Sequence, residues 1–372
     1  MGTPKSSTIR RWQILNILTV ADNLPHRQDA SRPRTGAGGS RSAIFLSPGA
    51  TYHADRCEPL RQAVARGEVR LMTFARRGYP GKPLPPRMLL EISTVGFWDA
   101  TGPQGWGLDW HRNEGIELTY LARGKTEFLV EKESFLLESG HLTVTRPWQE
   151  HRVGNPNVGA CRLHWLILDV GVRRPDQTWR WPAWLILPAA DLRRLTTLLS
   201  HNEQPVWRAN AEIGECFEKI AKLVEGAAPA AVQTRLQLCI NELLLALLEL
   251  LQQKNVVLDA HLASTRRSVE MFLSALPQHV AQPWTLDEMA YQCGLGASAF
   301  GDYCKRITNL SPARFLMRCR VDAARRLLDT HPDLSVTEVA LACGFHSSQY
   351  LATVFRRFTG RTPREIRQPR GR

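Results

Sequence analysis

The chain has 372 residues, room for two domains and a connector, and its 43% hydrophobic and 22% charged composition suits a soluble globular protein. No apolar run reaches the roughly 18 residues of a membrane helix. The nearest, LCINELLLALLELL (Leu238–Leu251), is broken by Asn241, Glu242 and Glu249. The net charge of +13 is uneven: residues 1–90 hold 15 Lys/Arg against 5 Asp/Glu, residues 91–267 hold 19 against 21, and residues 268–372 hold 14 against 9. A basic C-terminal part beside a near-neutral middle points to a polyanionic partner for that part. The eight cysteines form no Cys-x-x-Cys pair, so neither a zinc knuckle nor a redox dithiol is indicated.

At the N-terminus, Ile14–Val20 is too short for a signal peptide and no small-residue cleavage pattern follows it, so a cytoplasmic location is expected. SRPRTGAGGSRS (Ser31–Ser42) has the composition of a solvated tail. RRGYPGKPLPP (Arg76–Pro86) reads as a linker closing a poorly patterned segment, residues 1–85. Strand-like runs follow at Met88–Thr94, Ile116–Gly124, Thr126–Leu137, His141–Pro147 and Cys161–Leu168. Their spacing of about ten residues, broken by Gly, Asn and Pro, predicts a small antiparallel barrel or sandwich over 86–188. The apolar period then becomes helical across 189–262, ending in the leucine-rich TRLQLCINELLLALLELLQQ. That segment is apolar on more than one face, which fits either burial or pairing with a second copy. Residues 263–372 are helical in pattern throughout.

This last zone repeats a unit. LSVTEVALACGF has Ser335 as N-cap with Glu338 three residues on, a capping box, and then Ala340 and Gly344. Glycine suits the positive φ that reverses the chain, and Phe345 fills the corner. A second helix follows over 347–358, with Tyr350, Leu351, Val354, Phe355 and Phe358 expected inward. Ser348, Gln349, Ala352, Thr353, Arg356 and Arg357 are expected outward. The earlier copy has Thr285, Glu288, Ala290, Gly294 and Leu295, then a helix over 297–307 closed by Lys305 and Arg306. Between the copies, Ser311–Leu328 reads as one helix with Met317, Val321, Ala324 and Leu328 buried and Arg318, Arg320, Arg325 and Arg326 on or near its surface. Two helix-turn-helix units at a fixed spacing, each ending in a basic helix, predict a duplex-DNA reader. A plain helical bundle is the structural alternative. Cys293 and Cys343, before the two glycines, fit small buried corner residues.

Residues of about 268–367 resemble the AraC/XylS transcription regulators, above all in ACGFHSSQYLATVFRRFTGRTPREI (Ala342–Ile366) and RVDAARRLL. The resemblance implies two recognition helices in successive major grooves. Arg356, Arg357, Lys305, Arg306 and Arg361 would meet phosphates. Ser348, Gln349 and Thr353 would read bases in the second unit, and Ser298, Ala299 and Asp302 in the first. The sequence departs from the family pattern at Ile366, usually aromatic, and at Gly301 and Asp302, where longer polar or basic side chains are usual. Asp302 fits either acceptance from cytosine or no base role at all.

The middle zone resembles the cupin-like sensor domain common in that family. WHRNEGIELTYLARG carries His111, Glu117 and Gly124, and GHLTVTRPWQEHRVGN carries Gly140, Pro147, His151 and Asn155. Metal cupins add a second histidine at the position of Asn113. His111, Glu117 and His151 could still hold a metal, but the favoured reading is barrel residues satisfied by hydrogen bonds, with no metal or cofactor assigned. Nine of eleven tryptophans fall between Trp98 and Trp207. Trp98, Trp106, Trp110 and Trp165, with the three polar residues, are the pocket candidates for a small effector such as a sugar.

The expected architecture is therefore α+β and multidomain: a cupin-like antiparallel β-barrel, a helical linker, and an all-α double helix-turn-helix domain. The expected function is a ligand-responsive transcription regulator, an activator in type, acting as a homodimer on promoter DNA with RNA polymerase as a further partner. It is not expected to be an enzyme or to bind membranes. The rivals are a metal-dependent cupin enzyme, a DNA-repair protein with an AraC-like module, and a ligand-independent regulator whose barrel only dimerises. No Pro-Cys-His-type alkyl acceptor supports the repair protein.

Overall fold

The computed structural model describes residues 57–76, 79–131, 133–226, 228–253 and 256–367. Ile14–Val20 and Ser31–Ser42 lie outside them. The described residues form two compact units that meet in sequence at Ser268/Val269.

The first unit starts earlier than the sequence pattern suggests. Helix α1 (Glu58–Ala65) leads into β1 (Val69–Ala75), which pairs antiparallel with β3 (Ile92–Ala100) and parallel with the short β2 (Lys82–Pro83). The Pro/Gly-rich stretch expected to be a linker is instead a tight return between sheet strands, and it buries Leu84 and Met88. Thr73 on β1 donates to the Pro80 carbonyl at 2.5 Å to hold that return. The strand predicted at 88–94 begins at Ile92 for the same reason.

After β3 come β4 (Ile116–Val130), β5 (Glu133–Glu138), β6 (His141–Thr145), β7 (His151–Val153), β8 (Cys161–Leu168) and β9 (Val206–Arg208). The sheet order is β2-β1-β3-β8-β4-β6-β9, with β5 and β7 both pairing the far half of β4. One 15-residue strand thus serves two sheet surfaces, where the sequence suggested a break at Gly124. Gly124 is the bend rather than the end: its φ is +85°, and a Cβ there would lie 2.0 Å from the Ala160 carbonyl oxygen.

The two-residue period of strands sorts the side chains. Ile116, Leu118 and Tyr120 pack on one face with helices α2 (Ala189–Ser200), α3 (Ala211–Gly226) and α4 (Pro229–Gln253). Leu121, Phe128, Leu163, Trp165 and Ile167 fill the barrel interior with Trp98 and Trp106. Glu117 and Thr119 share the parity of Leu121, which places the Glu117 carboxylate on the interior face. α4 is buried on most of its circumference, and Asn241 inside it is satisfied by the Ile186 amide at 2.7 Å and the Gln237 carbonyl at 2.8 Å. Leu238 and Leu245, 56% and 42% exposed, keep an apolar strip in solvent.

His164 sits on the outer face of β8, among Phe97, Tyr120 and Phe217. Burial and the Arg162 guanidinium push its imidazole down to about 3. Glu218 Oε1 is 3.2 Å from His164 Nε2, but this carboxylate is 42% exposed and water screens it. The unfolded chain takes up a proton near pH 6.5 where the folded chain does not. This contribution is complete above pH 6.5 and is lost as pH falls toward 3. We expect about 2 kcal/mol to be lost from this group between pH 6.5 and 5. Urea unfolding followed by tryptophan fluorescence measures it, and His164→Asn should flatten that slope.

The helix that follows, α5 (Thr265–Ala275), begins in the first unit and continues into the second. The second unit is helical: α6 (Leu286–Gln292), α7 (Ala297–Thr308), α8 (Pro312–Thr330), α9 (Val336–Ala342), α10 (Ser348–Thr359) and α11 (Pro363–Arg367). No helix among the described residues is long and apolar enough to cross a membrane.

Candidate functional site

Both helix-turn-helix corners form as their sequences dictate. Thr285 Oγ1 accepts from the Glu288 amide at 3.1 Å while Glu288 reaches back to the Thr285 amide at 2.8 Å. Ser335 and Glu338 repeat the exchange at 3.1 and 2.8 Å. Gly294 and Gly344 have φ of +66° and +78°. Ala290, Ala340, Cys293 and Cys343 are buried at the corners, and burial pushes the Cys343 thiol up to about 12. Phe345 is buried as a plug, whereas Leu295 is only half-buried. In α10, Leu351 and Phe355 face the core. Tyr350 and Phe358, expected inward, are 44% and 36% exposed, because a helix this short offers its core too narrow a stripe for five side chains.

The joining helix holds a larger correction. Arg320, expected near the surface, is buried: its Nε donates to the Val280 carbonyl at 2.9 Å and its Nη2 to the Gln282 carbonyl at 2.8 Å. Helical spacing assigned Arg320 by its charge, but the buried Val280 carbonyl before α6 needs a donor, and the guanidinium supplies it while also reaching the Gln282 carbonyl. Arg318, Arg325 and Arg326 are exposed, and Val321, Ala324 and Leu328 are buried as expected, with Met317 half-buried.

In the barrel, His111, Glu117 and His151 come together, with their potential ligand atoms within 4.8 Å of one another. The imidazole rings of the two histidines are 4.3 Å apart. His111 Nδ1 is 2.7 Å from the Asp109 carbonyl and His151 Nδ1 is 2.9 Å from the Gln149 carbonyl. A carbonyl only accepts, so each Nδ1 carries a proton. His151 Nε2 is 2.9 Å from Glu117 Oε2. Burial alone would raise the Glu117 carboxyl, but the His151 charge and hydrogen bond, with His111 and Thr119, hold it below the ordinary carboxylate range. Burial first and His151 second push the His111 imidazole down to about 4. Two nitrogen donors and a carboxylate fit a divalent first-row metal ion, which would supply Lewis acidity there.

Residues 289–369 match the family model described as a helix-turn-helix domain, and residues 100–167 match that of the cupin domain. The chain is 32% identical over 169 residues to the HTH-type transcriptional activator RhaS of Salmonella schwarzengrund, and 34% over 164 residues to RhaS of Klebsiella pneumoniae. In the matched regions the chain is similar to AraC/XylS-type regulators. Each match takes in 44% of this chain and 58% of the relative, so the chain spans little more than half the length of these curated relatives. Among solved structures, the DNA-binding domain of AdpA in complex with a target DNA is 29% identical over 28% of this chain and 97% of its own, with a TM-score of 0.26. ToxT of Vibrio cholerae, with bound unsaturated fatty acid, is 11% identical over 73% of this chain and 93% of its own, with a TM-score of 0.32. At such TM-scores the structural likeness adds nothing to the sequence matches.

Ser298, Ala299, Asp302, Lys305 and Arg306 lie exposed along α7, and Gln349, Thr353, Arg356 and Arg357 along α10, with Ser348 half-buried at its first turn. Gly301 adds no side chain, and a Cβ there would meet open space. Arg361 is exposed but its Nη2 donates to the Glu365 carbonyl at 2.7 Å. The Thr353 hydroxyl donates to the Gln349 carbonyl at 3.1 Å, inside its own helix. The aromatic candidates separate. Trp98, Trp106 and Trp165 pack on one another in the core. Their indole N–H groups already meet Cys161 Sγ, Gln104 Oε1 and Thr94 Oγ1. Trp110 is 37% exposed. Three of the four rings are therefore structure, the commoner use of tryptophan in a small barrel.

Proposed function

We propose that the chain is a ligand-responsive transcription regulator that reads promoter DNA through α7 and α10. The observation that carries this reading is the pair of fully capped corners, each followed by a helix with exposed basic side chains, inside the region matched to the helix-turn-helix family. Lys305, Arg306, Arg356, Arg357 and Arg361 neutralise phosphates, and Gln349, Ser348 and Thr353 read base edges. Ser298, Ala299 and Asp302 offer little to a groove, so the first unit contributes mainly position and shape readout.

The barrel unit takes the small-molecule effector, with Trp110 and the His111–Glu117–His151 group the candidates left for contact. The Leu238 and Leu245 strip of α4 supports a homodimer. In this reading RNA polymerase is the downstream partner and the location is cytoplasmic, with a sensor over 86–188 extended back to α1, a helical connector over 189–262 and the DNA-binding part over 263–372. The extent of the helix-turn-helix match favours this over a metal-cupin enzyme. Genome-wide mapping of binding sites with the native chain tests it. Enrichment of a discrete set of promoter sites is expected, and a profile indistinguishable from input would overturn the reading.

A further inference from the structure

The first turn of α5 is held by carboxylates that lie far from it in sequence. Ser264 caps the helix, its Oγ accepting from the Arg267 amide at 3.1 Å, but the turn has no acidic residue of its own. Asp176, in the loop after β8, supplies one. Its Oδ2 accepts from the Thr265 hydroxyl at 3.1 Å and its Oδ1 from the Ser268 hydroxyl at 2.7 Å. Ser268 is 0% exposed, and a carboxylate at the positive end of a helix is favoured. Glu131 is a second, more solvated arm: its Oε1 lies 3.0 Å from Arg267 Nη2 and 3.3 Å from Nη2 of the buried Arg146. Glu131 has a φ of +52°, which a non-glycine residue keeps only where its surroundings over-determine it. All of these contacts lie inside the first unit.

Past Ser268 the same helix enters the core of the second unit, where Val269 and Phe272 are 0% exposed. The Phe272 ring meets Phe300 edge-on, with centroids 5.7 Å apart, and Trp284 in the same way at 5.5 Å. Phe300 and Cys304 are the buried side chains of α7. That helix depends on them, because Gly296 gives it no side-chain cap and Gly301 lowers its intrinsic stability. In α10, by contrast, Ser347 Oγ caps the helix by accepting from the Tyr350 amide at 3.2 Å.

We infer that Asp176 is a positioning residue for DNA recognition, acting from the first unit through α5, Phe272 and Phe300 on the order of α7. When the loop after β8 releases the two hydroxyls, the first turn of α5 frays and α7 loses order, while α10 keeps its own cap. The part of this inference that concerns DNA rests on the reading of α7 as a recognition helix. The coupling of Asp176 to α7 does not.

Amide hydrogen exchange of the full chain without DNA tests the coupling. Asp176→Ala should speed exchange in α5 and α7 by about tenfold, the usual effect of losing hydrogen bonds to a charged acceptor, and leave α10 as in wild type. Asp176→Asn, which keeps an acceptor oxygen for one hydroxyl, should lie between the two. Arg174→Ala removes only the Arg174 Nε–Asp176 Oδ1 pair at 3.1 Å and should change neither helix. Adding Gly301→Ala to Asp176→Ala should restore about fivefold of the protection of α7, the gain from replacing a helical glycine, and leave the first turn of α5 fast. That recovery cannot come from a misfolded variant.

Exchange in α7 that stays at the wild-type rate in Asp176→Ala, or that rises equally in α7 and α10, would overturn the coupling. Binding to a duplex selected from a random library is measured on the same preparations. Asp176→Ala should bind it about threefold or more weakly, because only chains with α7 ordered are competent. Wild-type affinity alongside the expected exchange pattern would overturn the role in recognition. A wild-type chain that binds no duplex would overturn the regulator reading and leave the coupling standing.

Discussion

Gly344→Ala is expected to unfold the second helix-turn-helix unit of this chain. At φ +78° an alanine carries a backbone penalty of about 1–2 kcal/mol. Its Cβ would also lie 2.5 Å from the Val280 carbonyl oxygen and 3.0 Å from Arg320 Nε. Neither neighbour is free to give way, because Arg320 is fixed by the Val280 and Gln282 carbonyls. The total is expected to reach about 3 kcal/mol or more, a large part of what a small domain has. Arg320→Leu should cost about 2–3 kcal/mol by a different route, since the buried Val280 carbonyl and the half-buried Gln282 carbonyl lose a charged donor. The two substitutions share one contact, so the double variant should cost less than the sum. Amide exchange over α9 and α10 in the full chain measures both, and wild-type protection in Gly344→Ala would refute the account of the corner.

The second large effect separates holding DNA from reading it. Arg356→Ala with Arg357→Ala should weaken binding to every duplex by about tenfold or more, and should flatten the log–log salt slope by about 2. Gln349→Ala should leave that slope unchanged and cost about 1–3 kcal/mol on the preferred site alone. The assignment rests on exposure: Gln349 lies on the first turn of α10, while both arginines lie on its last turn beside the C-terminal carbonyls. Competition binding at several salt concentrations distinguishes the two. A Gln349→Ala loss equal on specific and random duplexes would remove its base-reading role.

What could be read in advance follows from where the determining contacts lie. Capping boxes, corner glycines and the small Ala/Cys residues are local, and Thr285–Glu288 and Ser335–Glu338 formed as their spacing required. Strand existence was legible from alternation. Long-range satisfaction was not. Nothing near Arg320 in sequence signals that Val280, 40 residues earlier, needs its guanidinium. The Pro/Gly stretch at Arg76–Pro86 has the composition of a linker, yet it pairs with β1 because Leu84 and Met88 have a core to enter. The Trp98, Trp106 and Trp165 rings looked like a ligand wall until their indole N–H partners were visible. The triad lay between these cases: its members were named from the resemblance to cupin motifs, and the carbonyls of Asp109 and Gln149 that hold the two rings were not legible.

The central claim is that this chain reads duplex DNA, and its most direct test is equilibrium binding of the full chain across a salt series. The probes are a site selected from a random library and a scrambled duplex of equal length. With the five side chains proposed to face phosphates, the expected slope of log K against log salt is about −4 to −5 for each bound chain. The selected site should be preferred by about 1,000-fold or more. Binding that ignores salt, or that holds the scrambled duplex as tightly as the selected one, would contradict it.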